Sequence, residues 1–330
     1  MKILYAVQAT GNGHISRAHQ VLPYLEEYGE VDIFLSGSNS TLSLDLPVKY
    51  RSKGLSLFYS QCGDLDYWKT FRSIRYLDVI KEARALPVEK YDVVLNDFEH
   101  ITSRACRIKK VPSFQFGHQA SFKSKNTPRP DKKNWLGEYV LHNYAPAKKY
   151  VGLHFEPYDD FIFSPVIKKE FLDIKPVDQG HLTVYLPAYD KICVEKILKE
   201  IKPMQVHWFV PHINAPYKDE NIHFFPVQQK YFNESLIHCH ALLTGGGFET
   251  PAEALYLEKK LMVIPIEGQY EQQCNAAALQ KKGVKKLSVL NEDTKGEFFT
   301  WLKKPKTDVP IQANNIKETL DWLFNQSAHQ

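Results

Sequence analysis

Residues 241–279 read ALLTGGGFETPAEALYLEKKLMVIPIEGQYEQQCNAAAL. An apolar run, ALLT, ends in three glycines; the helix-like stretch ETPAEALYLE follows at once, then a second apolar run, LMVIPI, and a second helix-like stretch. Strand and helix alternating over such short connections is the pattern of a parallel sheet covered by helices. A strand that runs through Gly245, Gly246 and Gly247 into a helix leaves the first N–H groups of that helix open to an anion, and glycine lets a ligand come close to the backbone. Thr250 offers a hydroxyl to the same group. One helical turn further on, Glu253 falls where a carboxylate could accept two hydrogen bonds from a ribose diol, so the spacing suggests a nucleotide. The competing reading is a tight turn followed by a solvated glutamate.

The alternation extends over the whole chain. Behind residue 241 lie strands HLTVYL, QVHWFV and NIHFF and helices KICVEKILKEI and YFNESLI; in the first half lie strands KILYAVQ, VDIFLS, DVVLND, SFQFG and YVGLHF. Between the first two of these, Ile15, Ala18, Val21, Leu22 and Leu25 make one apolar helical face. The expectation is an α/β protein with parallel sheets in two tandem domains, which suits 330 residues. The prolines and charges of SPVIKKEFLDIKPVDQG mark the crossing, giving domains 1–164 and 165–308. In 309–330 the helix IKETLDWLFNQ either closes the second domain or crosses back onto the first.

Composition narrows the function. A net charge of +4 is too small to argue for nucleic acid. No stretch has the length of a membrane span, and KILYAVQ is too short for the core of a signal peptide, so a cytoplasmic location is expected. Cys62, Cys106, Cys193, Cys239 and Cys274 form no C-x-x-C pair and read as reduced thiols. His238, Cys239 and His240 look metal-like, but neighbours on a strand point to opposite faces, which favours structural roles.

The segments TGGGFETPAE and PIEGQYEQQCNA resemble the donor-binding signature of GT-B glycosyltransferases. They look most like the family of the peptidoglycan N-acetylglucosaminyltransferase and the plant galactolipid synthases, and more distantly like the plant glucosyltransferase signature. The resemblance implies two Rossmann-like domains with parallel sheets facing each other across a cleft. It implies that Gly245, Gly246, Gly247, Phe248, Glu249 and Thr250 hold a diphosphate and that Glu253 holds the ribose hydroxyls. Glu271 and Gln272, followed by Asn275 and Ala276, would meet the donor sugar, and Phe225 to Gln228, including Val227, would pin a uracil base. The donor would be a UDP-sugar, such as UDP-N-acetylglucosamine, UDP-galactose or UDP-glucose, with no cofactor besides. Two departures stand out: the plant enzymes have a histidine at the place of Gly245, and the loop LPAYD lacks the glycine-rich sequence of the peptidoglycan enzyme.

Near the start, TGNGH also lies between a strand and a helix. It is no dinucleotide fingerprint, because Ser16 and Arg17 stand where the third glycine would fall and VDIFLSGS carries no terminal acid for a ribose. In the GT-B resemblance this loop faces the cleft on the acceptor side, with Gly11, Asn12 and Gly13 keeping the backbone low. His14 is then a candidate general base, since its intrinsic pKa lies near working pH; alternatively it positions the acceptor without moving a proton. Asp97 ends YDVVLND, and the carboxyl ends of parallel strands line the ligand crevice, so it could orient His14, act as base itself, or cap the helix that begins at Phe98. His118 follows SFQFG and is expected to line the acceptor pocket, while His100 is expected on a helix surface.

The expected reaction, as the GT-B resemblance implies, is inverting, metal-independent transfer to a hydroxyl acceptor. A UDP-sugar 2-epimerase of the same architecture and a non-catalytic nucleotide-sugar-binding protein are the alternatives. The aromatic and basic helix YWKTFRSIRYLDVIKEARAL (67–86) and the exposed basic loop KSKNTPRPDKK (123–133) would suit a lipid-linked acceptor and peripheral contact with the inner face of an anionic membrane.

Overall fold

A computed structural model describes residues 1–9, 12–37, 48–54, 76–189, 191–306 and 308–328. The first sheet contains β1 (Lys2–Gln8), β2 (Glu30–Ser36), β3 (Val48–Ser52), β4 (Val93–Asp97), β5 (Phe114–Gly117), β6 (Lys149–Leu153) and β7 (Ile162–Phe163), in the order β3-β2-β1-β4-β5-β6-β7 and parallel throughout. The second contains β8 (Leu182–Tyr185), β9 (Val206–Val210), β10 (Tyr217–Asp219), β11 (Ile222–Pro226), β12 (Ala241–Gly245), β13 (Lys260–Ile264) and β14 (Lys285–Lys286), in the order β10-β11-β9-β8-β12-β13-β14. Only the edge strand β10 runs antiparallel to its neighbour.

Helices cover both faces. In chain order they are α1 (Asn12–Glu26), α2 (Tyr76–Ala85), α3 (His100–Lys109), α4 (Trp135–Asn143), α5 (Lys169–Leu172), α6 (Lys191–Lys199), α7 (Gln229–His238), α8 (Glu249–Tyr256), α9 (Tyr270–Lys281), α10 (Lys295–Lys303) and α11 (Ile316–Ala328). Strand β1 shows why the stack holds. Ile3, Tyr5 and Val7 face one way with Ala18, Val21 and Leu25 of α1, while Leu4 and Ala6 face the other way with Val79 of α2 and Ala105 of α3. A strand apolar on both faces must be covered twice, each large side chain contributing about 1.5–3 kcal/mol. One apolar cluster continues from β1 through Phe155 to Phe248, Ala252 and Leu279, so the two domains share a core.

Each sheet reverses its strand order once, at β1/β4 in the first domain and at β8/β12 in the second. Beyond the carboxyl ends of the strands at such a reversal, flanking connections leave in opposite directions and open a crevice. His14 and Asp97 lie at the first reversal and Gly245 at the second.

Several elements differ from the sequence expectation. Strands β3, β7, β10 and β14 are two to five residues long and none has more than one buried residue, so they carry no apolar run. Of the helix expected at 67–86, α2 is described, and residues 67–75 lie outside the described residues. The loop at 123–133 is not uniformly exposed: Thr127 donates to the Ser121 carbonyl at 2.6 Å, and Arg129 lies over the Phe122 ring and binds Glu138 at 2.6 Å. His100 is half-buried and bonded to the Tyr144 carbonyl at 2.5 Å rather than at the surface. The last helix lies against the first domain: Tyr28, just after α1, stacks on Phe324 and donates to Asp321 at 2.6 Å, and Phe163 meets Trp322.

Candidate active site

The first wall of the cleft is built on charge. Asp97 ends β4 beside Val7 of β1 and is fully buried. His14 Nδ1 lies 2.9 Å from its Oδ1. Asp97 accepts three further hydrogen bonds from Arg17, with Nη2 2.7 Å from Oδ1 and 2.9 Å from Oδ2 and Nε 3.1 Å from Oδ2. Burial alone would raise the Asp97 pKa, but Arg17 and then His14 outweigh it and hold the carboxyl below its ordinary value. An ionised carboxylate only accepts, so Nδ1 of His14 carries the proton and Nε2 is left to accept one. The side chain of His14 keeps 14% of its surface exposed.

The local chain is shaped around this pair. Phe98 follows with φ 55°, a left-handed conformation uncommon outside glycine, which turns the chain away at once. The helix cap considered for Asp97 belongs to Glu99, whose carboxylate accepts from Ile101 N at 2.8 Å and Thr102 N at 2.6 Å. Gly117 has φ 147°, and a Cβ there would lie 2.6 Å from Asp97 Oδ1.

The second wall is built on backbone. Gln272 Oε1 accepts from Gly246 N at 3.0 Å and Ile266 N at 3.1 Å, and Asn275 Nδ2 donates to Gly246 O at 3.0 Å. A Cβ on Gly246 would stand 2.7 Å from the Gln272 carbonyl oxygen, whereas one on Gly247 would meet nothing within 4 Å. Gln272, which the resemblance assigns to the donor sugar, thus holds the glycine loop through its carbonyl oxygen. Asn12, Gly13, Val227, Gly245, Gly247 and Thr250 are among the residues lining a cleft of about 600 Å³ between the walls. Gly11 lies outside the described residues.

Other expected residues fall in different places. Glu253 is 3% exposed and paired with Lys168 at 3.0 Å, and Lys168 also donates to Asn233 at 3.2 Å. Burial outweighs Lys168 and raises the Glu253 carboxyl above its ordinary pKa. With Lys168, Tyr185, Val227 and Thr250 it lines a smaller pocket beside the cleft. The solvated-glutamate reading therefore fails. Phe225 packs its ring among His207, Phe209 and Tyr231, while Pro226, Val227 and Gln228 form the cleft wall there. Glu271 accepts from Gln119 Nε2 of the first domain at 3.2 Å.

His118 corrects the acceptor-side expectation. It is 1% exposed, stacked on Phe248 with ring centroids 3.9 Å apart, and bonded to Leu153 O at 3.0 Å and Asn275 Oδ1 at 2.7 Å. Burial lowers its pKa. A side chain sealed in the seam between domains lines no acceptor pocket.

Arg17 is the residue that sequence reasoning left without a role. Its Nη1 crosses the cleft to Glu249 Oε1 on α8. Burial pushes the Glu249 carboxyl up to about 7, with Arg17 and His14 pulling the other way. The usable signal was spacing: His14 and Arg17 are three apart in one helix and share a face. Lys168 carried no such signal, because its partner is 85 residues away. At the other suspected site, Cys239 is buried and His240 binds Asp178 at 2.7 Å; among the described residues no group of three His, Cys, Asp or Glu side chains could hold a metal ion.

Two Rossmann-like domains of parallel sheets facing each other across a cleft are the GT-B fold. The chain belongs to the family described as glycosyl transferase family 1, which matches residues 1–303. Among solved structures it is similar to Arabidopsis thaliana UGT89C1 complexed with UDP, at 13% identity over 99% of each chain with a TM-score of 0.64. It is also similar to S. aureus MnaA in its UDP co-structure, at 12% identity over 99% of this chain and 96% of that one, TM-score 0.63. The glycosyltransferase VinC in complex with dTDP matches at 11% identity over 100% of both chains, TM-score 0.55. No curated protein matches. At these identities the structural likeness is one of fold.

Proposed function

We propose that the protein transfers a sugar from a UDP-sugar to a hydroxyl acceptor with inversion at the anomeric carbon, using no resident metal. The observation that carries this reading is the His14–Asp97 pair placed directly behind Asn12 and Gly13, which line one cleft together with Gly245 and Gly247. Nε2 of His14 takes the acceptor proton as the acceptor oxygen bonds to the anomeric carbon. The bond from that carbon to the diphosphate oxygen breaks with its electron pair, giving glycoside and UDP, and the proton on His14 passes to solvent. Amides of the glycine loop other than that of Gly246, which Gln272 takes, and the N-terminus of α8 meet the charge growing on the leaving diphosphate. Glu253 beside the cleft is the group offered to the ribose. The structures with UDP and dTDP at the same fold support a nucleotide donor.

The acceptor in this reading is lipid-linked and presented at an anionic membrane surface. Trp135 and Tyr139, one helical turn apart on α4, are 79% and 62% exposed, and Lys132 and Lys133 just before them are exposed as well. Aromatic and basic side chains together suit a lipid headgroup layer. None of the described helices is long and apolar enough to cross a membrane. Flotation with anionic liposomes, but not neutral ones, is expected; no flotation with either sinks this part.

A thermal-shift screen of UDP-N-acetylglucosamine, UDP-galactose, UDP-glucose and their dTDP counterparts tests the donor, because a ligand that binds only the folded state raises Tm. UDP release that requires an acceptor is the expected follow-up. A C2-epimerised donor formed without acceptor would instead make the protein an epimerase, and tight UDP binding with no turnover a binding protein.

A further inference from the structure

We propose that Arg17 is a positioning residue acting from both sides of the cleft: its guanidinium holds Asp97 in the first domain and Glu249 of the donor loop in the second, so that His14 and Asp97 are set in place by the docking of α8. This rests on the reading of His14 as the base.

The geometry of the fork is the first argument. Arg17 is 3% exposed; Nε and Nη2 are committed to Asp97, and Nη1 goes to Glu249. A planar group with donors on several edges can bridge two carboxylates in this way, whereas a lysine ammonium at the end of a flexible stem cannot hold both in one orientation. Nη2 also lies 3.0 Å from His14 Nδ1, so the guanidinium sits against the same ring nitrogen that meets Asp97.

Charge is the second. The groups facing the guanidinium are Tyr5 of β1, His14 of α1, Asp97 of β4, the buried His118 after β5 and Glu249 of α8. Without Arg17, Asp97 and Glu249 would meet in a poorly solvated site with only the imidazole between them. Removing Arg17 leaves an uncompensated charge at Asp97 and unties Glu249 from the first wall.

Third, the backbone makes room on both sides of the bridge. A Cβ on Gly117 would lie 3.2 Å from Arg17 Nη2 as well as 2.6 Å from Asp97 Oδ1, and a Cβ on Gly13 would press within 3.2 Å of Glu249 Cγ. Next to Glu249, Phe248 is already stacked on His118 of the first domain. The N-terminus of α8 is thus anchored by a ring stack and steered by the Arg17 ion pair, and the donor loop precedes it directly.

The test uses the full chain, with Arg17→Met, Arg17→Lys, Glu249→Gln and the double variant Arg17→Met/Glu249→Gln. UDP release is followed from UDP-glucose and UDP-N-acetylglucosamine, and amide hydrogen exchange is followed across 245–256 without any nucleotide. Arg17→Met is expected to lower kcat about 100-fold while donor KM stays within about threefold. Its acid limb should move to higher pH, because Asp97 then acts on the imidazolium undiluted. Glu249→Gln should lose about three- to tenfold, since the Arg17 bridge to the second wall is gone. Arg17→Lys should recover less than a tenth of wild-type turnover. Exchange across 245–256 should rise equally in both single variants and no further in the double. Arg17→Met with kcat within threefold of wild type, or a loss of turnover with the pH profile unmoved, would overturn the proposal. If Arg17→Met does not fold, Arg17→Lys and Glu249→Gln carry the same comparison. If the wild type releases UDP from neither donor, the functional reading fails, and the exchange cycle alone decides: equal, non-additive rises support the bridge, and additive ones overturn it.

Discussion

The two walls of the cleft are made of different materials. On the first, His14, Arg17 and Asp97 work through side-chain charges brought together over 80 residues of sequence. On the second, Gly245–Gly247 works through backbone groups that are neighbours in the chain, held by Gln272 and Asn275. A wall of charges fails when an atom is removed, and a wall of backbone fails when one is added. In the proposed reaction the first wall carries the chemical step and the second binds the anion, so the two should separate as turnover and affinity.

The largest effect is expected at the first wall. His14→Ala and Asp97→Asn should each lower turnover by roughly 10²-fold or more, while UDP binding by calorimetry stays within about threefold. Turnover that survives both substitutions would assign the pair to structure and erase the contrast.

At the second wall a single methyl should suffice. Gly246→Ala places a carbon 2.7 Å from the Gln272 carbonyl oxygen and 3.0 Å from Pro265 Cβ, where backbone cannot easily yield. The loop must shift, costing about 1–3 kcal/mol of stability and roughly tenfold or more in UDP affinity. Gly247→Ala, with open space around the added carbon, should leave Tm nearly unchanged. Equal Tm losses in the two variants would show that the predicted clash is not what limits this loop.

A smaller effect is expected beside the cleft. Glu253→Gln removes a charge from the group offered to a ribose and should weaken UDP about tenfold, or roughly 1.4 kcal/mol. Unaltered affinity would leave Glu253 as the partner of Lys168 alone.

The same contrast decides what the sequence could disclose. The glycine loop, its helix and the strand beyond are contiguous, so their periodicity and punctuation were readable, and the long buried strands of both sheets were readable for the same reason. His14 and Asp97 were reachable one at a time from their places at strand ends. Asp97 orienting His14 was among the readings, but the Arg17 bridge to Glu249 was not reachable, because residues 17, 97 and 249 become neighbours only when two sheets and two domains are assembled. His118 misled for a related reason: its place after β5 is that of a cleft residue, and only the ring of Phe248 from the other domain shows that the seam is closed there. Short edge strands such as β10 and β14 carry too few residues for any period to emerge.

Glu249 belongs by sequence to the backbone wall and by charge to the other, and it gives the smallest expected signal. Its carboxyl is raised from an ordinary 4.5 to about 7, chiefly by burial. Between those values the folded protein binds more protons than the unfolded chain, so this group's contribution to stability declines as pH rises through that window and is level above it. Asp97 works the other way: its lowered pKa makes a contribution that is present above its unfolded value and lost as pH falls through the folded one. Because Asp97 is untouched by Glu249→Gln, the stability difference between that variant and wild type isolates Glu249. Urea unfolding should show the variant gaining on wild type by about 1–2 kcal/mol between pH 5 and pH 8, the site's partial solvation keeping the value below the roughly 3 kcal/mol that a full shift would imply. A difference that does not change with pH would mean that Arg17 neutralises the carboxylate completely. The bridge would then be a static pair with no strain to release, and the two walls would be joined by a fixed bolt.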